Sequence, residues 1–140
     1  MCQNIDDFNR GAAFILARLY QAFPIPVFVR VDEIDDGVDL LAAERAARLQ
    51  ERAAIYAATM EFLADEGYLT YTDKVGPDSR RHYAAVRLTS KGLAVLSATP
   101  AAIQEPGKPL GDQLVGWVGE GAKEAMRHAV RLVMAAAVCA

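Results

Sequence analysis

The stretch from Glu66 to Leu96, EGYLTYTDKVGPDSRRHYAAVRLTSKGLAVL, contains the signals that decide the fold. Its alternation of apolar and polar residues predicts a strand over Tyr68–Thr72 and a return strand from Arg80 or Arg81 to Leu88. The segment between them, Asp73–Ser79, is polar and includes Gly-Pro-Asp, which is typical of a turn. The stretch therefore predicts a β-hairpin (the hairpin, from here on) followed by a further element.

The two-residue period of a strand divides the return strand between two faces. One face is predicted to hold His82, Ala84, Val86 and Leu88, and the other Tyr83, Ala85 and Arg87. Leu69 and Tyr71 are the predicted inward residues of the first strand. Thr89 is a suitable N-cap for a helix over Ser90–Ser97, because its hydroxyl accepts a hydrogen bond from a free backbone N–H.

Upstream of the hairpin, apolar residues at steps of three and four predict a helix from Asp6 or Asp7 to Phe23. Two prolines, at positions 24 and 26, end it, and Val27–Val31 has the β-branched composition of a strand. The region Leu40–Glu66 is alanine-rich and helical in pattern, ending at Gly67. The pattern leaves open whether this region is one helix or two.

Downstream, Thr99–Gly111 holds three prolines and two glycines and is interpreted as a linker. A final helix is predicted from Asp112 to Val138. The predicted organisation is a domain over residues 1–98, a linker over 99–111 and a C-terminal helix within 112–140. The fold class is mainly α with a small antiparallel β-hairpin, that is, α+β.

Composition restricts the functional classes. The net charge is −3, distributed as −5 over residues 1–44, +2 over residues 45–91 and zero over residues 92–140. This local and modest positive charge is weaker than that of most tight nucleic-acid binders. The sequence has no signal-peptide pattern, membrane-length apolar run or metal-ligand spacing, so we expect a cytoplasmic protein without cofactor or membrane contact. Neither histidine belongs to a recognisable catalytic motif, so no enzyme is predicted.

The run FLADEGYLTY, then the hairpin, then VRLTSKGLAVL, closely resembles the winged helix-turn-helix domain of bacterial transcription regulators. In that family a helix ends in L-x-x-x-G-x-[LI], and the hairpin, called the wing, closes on L-T-x-x-G. The residues that match are Leu63, Gly67, Leu69, Leu88, Thr89 and Gly92. The resemblance covers about two-thirds of the chain, and implies a winged-helix core plus an additional C-terminal helix.

The resemblance further implies that the helix before the wing enters the major groove of double-stranded DNA and that the wing contacts the backbone. The candidate DNA contacts are Arg45, Arg48, Gln50 and Arg52 near the helix, and Lys74, Arg80, Arg81 and His82 on the hairpin. The helix, however, is alanine-rich and carries acidic residues that partly cancel its arginines. A non-enzymatic winged helix that contacts only protein is therefore the alternative.

The C-terminal helix suggests a second interaction surface, because its small residues suit close helix packing and terminal helices build the dimer in many winged-helix regulators. The candidate dimer or partner residues are Leu114, Trp117, Val118, Ala122, Ala125, Ala129 and Val133. Packing of this helix on its own domain is one alternative, and a membrane-surface helix that carries Lys123, Arg127 and Arg131 on one face is another.

Overall fold

The computed structural model describes residues 3–31, 42–77, 81–97, 109–120 and 123–139. Along these residues the chain is mostly helical with a small antiparallel sheet, which confirms the α+β prediction. The elements are, in chain order, α1 (Gln3–Ala22), β1 (Val27–Arg30), α2 (Ala42–Asp65), β2 (Leu69–Thr70), β3 (Asp73–Val75), β4 (His82–Leu88), α3 (Ser90–Ser97), α4 (Leu110–Glu120) and α5 (Lys123–Cys139).

Helix α1 lies at the centre of the packing. It contacts α2, α4 and α5, and its predicted apolar face supplies the middle of the core. Ile15 and Leu16 are fully buried there, as the spacing of three and four residues predicts. The other large buried side chains come from α1, α2, the hairpin with the residue before it, α3 and α4: Leu19, Tyr56, Met60, Leu63, Tyr68, Leu69, Tyr83, Leu96 and Leu110.

Strand β4 is the centre of the sheet, with β1 on one side and β2 and β3 on the other. Leu69 lies opposite Leu88 and Val75 opposite His82, so β2 and β3 pair with β4 in one continuous register. The first arm of the hairpin is thus one strand interrupted between Thr70 and Asp73. The structure has a strand at the position predicted, Tyr68–Thr72. The first arm of the hairpin, however, continues three residues further, to Val75, into the predicted loop.

A bulge in β4 changes which side chains face the core. Val27 lies opposite Val86 and Val29 opposite Tyr83, so β4 holds one residue more than β1 over this span. Ala85 has φ 54°, a left-handed conformation that few non-glycine residues adopt. Tyr83 therefore joins Val86 on the buried face. The prediction that Tyr83 lies on the same face as Ala85 is wrong, because the extra residue in β4 shifts the alternation of faces by one position.

Strand β1 is an edge strand, and a side chain from α1 covers part of its outer edge. Arg18 donates from Nη2 to the backbone oxygen of Phe28 at 3.0 Å. On the face of the sheet, the Phe28 ring packs against His82 with ring centroids 5.0 Å apart. The β1 backbone is thereby joined to α1, and its outer side chain to β4.

The residues that carry the family resemblance meet at one junction between the hairpin and α3. Gly67 has φ 84°, which turns the chain from α2 into β2. Thr89 donates from Oγ1 to Gly67 O at 2.5 Å, and accepts a bond from the Gly92 N–H at 3.1 Å. A Cβ at Gly92 would overlap the backbone oxygen of Tyr68. These positions therefore specify local backbone geometry.

Between β1 and β2 the described residues form a single helix, α2, of 24 residues. The question whether Leu40–Glu66 is one helix or two is answered from Ala42 onward: it is one. A helix-turn-helix needs two helices at this place, and residues 42–65 supply one of them. The acidic segment Asp32–Gly37 lies outside the described residues.

The C-terminal region differs from the prediction of one helix after a linker. Two helices, α4 and α5, stand in place of the single helix over Asp112–Val138, and α4 already begins at Leu110. Gly111 therefore belongs to α4 and not to the predicted linker, the rest of which lies largely outside the described residues. A Cβ at Gly111 would approach the Tyr20 ring within 2.6 Å, so glycine lets α4 pack closely on α1.

Candidate functional site: the exposed side of α2 and the hairpin

Glu61, near the end of α2, holds two cations of the hairpin. Lys74 Nζ lies 2.9 Å from Oε1, and Arg81 Nη1 lies 3.0 Å from Oε2. The buried Tyr83 hydroxyl lies 3.2 Å from the same Oε2 and 3.2 Å from the backbone oxygen of Ala57. We call Glu61, Lys74, Arg81 and Tyr83 the Glu61 cluster. It ties the hairpin to α2.

The Glu61 cluster shifts the acidity of its own members. The hydrogen bond from the Lys74 ammonium holds the pKa of the Glu61 carboxyl below its ordinary value. The same bond raises the pKa of Lys74. Burial raises the pKa of the Tyr83 phenol, which therefore stays a neutral donor. At neutral pH the cluster contains one carboxylate and two cations, a net charge of +1.

Three of the predicted DNA contacts on the hairpin lie in described positions, and two of them share one neighbour. Lys74, whose side chain is 46% exposed, and Arg81, at 22%, both bind Glu61. His82 is half-buried and packs against Phe28 on the outer face of the sheet. Arg80 lies outside the described residues. The hairpin thus offers cations that are already in contact with a carboxylate of the same chain.

The predicted DNA contacts on α2 divide into two groups. Arg52 is buried, with 3% of its surface exposed, so its predicted role as a DNA contact is wrong for this conformation. Arg45, Arg48 and Gln50 lie on the helix, and their side chains are outside the described part of the structure. The described geometry therefore does not bring the eight candidates together into one surface.

A shallow groove of about 360 Å³ runs along the exposed side of α2 beside the hairpin. We call it the α2 groove; it is lined by Ala54, Ala57, Ala58, Glu61, Phe62, Asp65 and Arg81. Phe62 is 42% exposed, and its ring meets Phe8 edge-on with centroids 5.6 Å apart. Aromatic side chains are enriched at protein–protein interfaces, and contiguous exposed apolar patches mark surfaces that bind protein.

The charge of the α2 groove is balanced. The half of α2 from Ala53 to Asp65 contains two carboxylates, Glu61 and Asp65, and no lysine or arginine. Arg81, with Lys74 next to it, supplies the compensating cations from the hairpin. The groove therefore presents apolar surface bordered by charges that sum to zero.

Three of the seven residues proposed for a C-terminal dimer interface are buried in the core of the chain itself. Leu114, Ala129 and Val133 are at most 1% exposed and belong to the same core as α1. Tyr68 donates its hydroxyl to the backbone oxygen of Val133 at 3.1 Å, which joins α5 to the start of the hairpin. Trp117, Val118 and Ala125 are half-buried, and Ala122 lies outside the described residues. The buried side chains are unavailable to a partner in this conformation.

Sequence reasoning missed the two residues that define this surface. It counted Glu61 only among the acidic residues that partly cancel the arginines of the helix, and it assigned Phe62 no role in a site. A partial signal for Glu61 exists, because Met60 and Leu63 face the core and position 61 therefore lies off the buried face of the helix. The contacts across 13 and 20 residues to Lys74 and Arg81, in contrast, depend on the register of the hairpin.

Comparison of the chain with protein families, with curated proteins and with solved structures gives no match. Among the described residues, no group of three or more His, Cys, Asp or Glu side chains is arranged to hold a metal ion. Within the same ranges, no helix combines the length and apolar character needed to cross a bilayer.

Proposed function

We propose that this chain is a non-enzymatic winged-helix-like module that binds a protein partner through the α2 groove. The observation that carries the proposal is the character of the exposed side of α2. At the position where a DNA-binding winged helix presents its recognition helix, residues 53–65 present alanines, an exposed Phe62 and two carboxylates. An exposed aromatic side chain on a helix segment that holds carboxylates and no lysine or arginine supports contact with protein more than contact with phosphate.

Electrostatics supports the same proposal. Affinity for duplex DNA comes mainly from cations that neutralise phosphates. Two cations of the hairpin, Lys74 and Arg81, already bind Glu61 at 2.9–3.0 Å, and Arg52 is buried. Phosphate contact by Lys74 or Arg81 would compete with that carboxylate. The net charge of −3 adds a long-range repulsion.

Binding of double-stranded DNA, as in a small transcription regulator, is the second candidate. It is supported by the order of the elements, α1, β1, α2, hairpin and α3, and by the exposure of Lys74 at the free end of the hairpin. Arg45, Arg48 and Arg80 would be its further contacts. This candidate also implies a cytoplasmic protein, and it requires more positive surface than the described residues present.

A salt titration separates the two candidates. Binding to mixed-sequence duplex DNA is measured by fluorescence anisotropy at about 50 and about 200 mM salt. The variants are Lys74→Ala/Arg81→Ala and, as a matched control with the same charge change, Arg87→Ala/Lys91→Ala. We expect no salt-dependent binding for any of the three proteins. Binding that weakens steeply with salt, and that only the Lys74/Arg81 variant loses, would instead establish DNA recognition by the hairpin.

Protein binding is tested directly with a photo-crosslinking residue at Ala54, in the groove, and at Ala94, an exposed alanine of α3. We expect a crosslinked product from position 54 in the source cells, and none from position 94. Phe62→Asp should abolish the product, because Phe62 is the large apolar side chain of the groove. Equal crosslinking from both positions, or a product that persists in Phe62→Asp, would contradict the proposal.

A further inference from the structure

We propose that the second half of α4, residues 115–120, opens as a local unit while the rest of the fold stays closed, and that its opening exposes Trp117 to solvent. We call residues 115–120 the opening segment. Three properties of the chain support the proposal: the position of the buried residues within α4, the position of its glycines, and the anchoring of the chain on both sides of the segment.

The buried residues of α4 all lie in its first half. They fall within the first five positions of the helix, and Leu110 and Leu114, at most 1% exposed, are the large ones among them. Over residues 115–120 no residue is buried. Three apolar side chains, of which Trp117 is the largest, pack half-buried against the core, and the other three positions are exposed. Segments with little buried surface open locally at low free energy, so the two halves of α4 differ in local stability.

Two of the exposed positions in the opening segment are glycines, Gly116 and Gly119. A Cβ at either would meet nothing within 4 Å, so neither glycine serves a close approach. Gly111, in contrast, packs against the Tyr20 ring. In a helix, each exposed glycine favours the unfolded conformation about fivefold relative to alanine. The two glycines together therefore favour opening about 25-fold, and they contribute no contact to the closed form.

The chain is anchored on both sides of the opening segment. Before it, Leu114 is fully buried in the core. After it, Arg127 Nη2 of α5 lies 2.9 Å from Asp6 Oδ1 at the start of α1. Further along α5, the backbone oxygen of Val133 accepts the Tyr68 hydroxyl at 3.1 Å. Opening is therefore confined to residues 115–120 and leaves the packing of α5 intact.

The consequence is that Trp117 has two environments. In the closed form its ring packs half-buried against the core, and in the open form it lies in water. A local equilibrium within the native fold, and not global unfolding, therefore sets how often this apolar side chain is exposed.

Native-state hydrogen exchange gives the test. The amides of residues 118–120 donate to the carbonyls of residues 114–116 in an α-helix, so they exchange when the segment opens. We expect their protection factors to be at least about 100-fold lower than those of Ala129 and Val130, which are fully buried in α5. These factors should change little in dilute urea, because local opening exposes little surface. Gly116→Ala/Gly119→Ala should raise them about 25-fold.

Ala94→Gly is the matched control, because Ala94 is an exposed alanine within α3 and the substitution is the same exchange in reverse. It should lower the protection of Ala129 and Val130 about fivefold through global stability, and leave residues 118–120 unchanged. An equal loss at residues 118–120 would overturn the proposal, because these amides would then exchange only when the whole chain unfolds. Protection at residues 118–120 equal to that of α5 would overturn it as well.

The indole N–H of Trp117 tests whether the ring moves with the backbone. Trp117 is the only tryptophan of the chain, so its indole signal is assigned without ambiguity. We expect the exchange of this proton to slow in Gly116→Ala/Gly119→Ala and to stay unchanged in Ala94→Gly. An indole exchange rate that is the same in the wild type and the double variant would overturn the exposure of Trp117 on opening.

Discussion

At the scale of single residues, the junction between the hairpin and α3 requires a residue without a side chain at position 92. Gly92 lies on α3 directly beneath the backbone oxygen of Tyr68, while Thr89 bonds to the Gly67 oxygen and the Gly92 N–H. The L-T-x-x-G pattern thus has a local cause: the threonine caps the helix and the glycine admits the neighbouring backbone. Any larger residue must displace a strand that is itself held in the sheet.

We expect Gly92→Ala to lower the free energy of unfolding by about 1–3 kcal/mol, the usual range for overpacking a tight site. Gly116→Ala is the matched control, because a Cβ there meets nothing within 4 Å and lies inside α4. That substitution should raise the free energy of unfolding by up to about 1 kcal/mol through helix propensity. Urea denaturation followed by circular dichroism measures both. Equal effects at the two glycines would refute the steric explanation.

The junction was also the part of the fold that the sequence predicted best. Gly67, Leu69, Leu88 and Thr89 act on backbone within a few residues of themselves, so their roles follow from local stereochemistry. The burial of Tyr83 could not be predicted, because no residue type in the sequence indicates a bulge at Ala85. An alanine in a left-handed conformation is imposed by the pairing of three strands, which is a property of the sheet as a whole.

At the scale of elements, the Glu61 cluster joins α2 to the hairpin by charge. Ion pairs of this exposure stabilise by about 0.2–1 kcal/mol each, and salt weakens them. Because Lys74 lowers the pKa of Glu61 in the folded state, the carboxylate contributes stability that is fully present above its unfolded pKa of about 4.3. That contribution is lost as the pH falls through the lower pKa of the folded protein.

We expect Glu61→Gln to lower the free energy of unfolding by about 1 kcal/mol at pH 7, in line with a partly exposed cluster. The difference between wild type and variant should shrink as the pH falls from about 4.3, the unfolded pKa, through the lower pKa at which Glu61 becomes protonated in the folded protein. Asp65→Asn, which removes an exposed carboxylate one turn along α2, is the matched control for the loss of one negative charge at pH 7. Denaturation at a series of pH values measures the profiles, and a difference that is constant down to pH 3 would exclude the carboxylate as its cause.

The candidate site is an arrangement between elements, and for that reason it was only partly predictable. Sequence spacing placed Lys74 and Arg81 on the hairpin and an alanine-rich face on α2, and both statements hold. It did not predict that Glu61 binds both cations, since that contact requires the register of β3 and β4 to be known. Nor did it predict that Arg52 is buried. Alanines lie on several sides of this 24-residue helix, so spacing alone does not identify its buried face.

At the scale of the whole molecule, α4 and α5 complete the core rather than extend from it. Leu110, Leu114, Val130 and Val133 are at most 1% exposed and pack with α1 in the same cluster as the hairpin residues. Burial of each such side chain is worth about 1.5–3 kcal/mol. Together they equal much of the total stability of a small domain, about 5–15 kcal/mol.

We expect a chain truncated after Ser97 to lose its cooperative thermal transition and its near-ultraviolet circular dichroism, because the α1 face that α4 and α5 cover would be exposed. Differential scanning calorimetry makes the comparison with the full chain. The matched control is a chain that ends after Val133, and it should keep most of the transition. A chain ending at Ser97 that melts cooperatively at an unchanged temperature would show that residues 1–97 form an independent domain.

The bond from Arg18 to the backbone oxygen of Phe28 has a consequence for aggregation. An open edge strand invites other chains to add to the sheet, and many proteins block such edges with a charged side chain. Here the guanidinium occupies an acceptor that an incoming strand would use, so growth of the sheet through β1 meets a bound cation at its second residue. Loss of Arg18 would leave this backbone oxygen available to a strand of another chain, and it would therefore favour fibrous aggregation through β1.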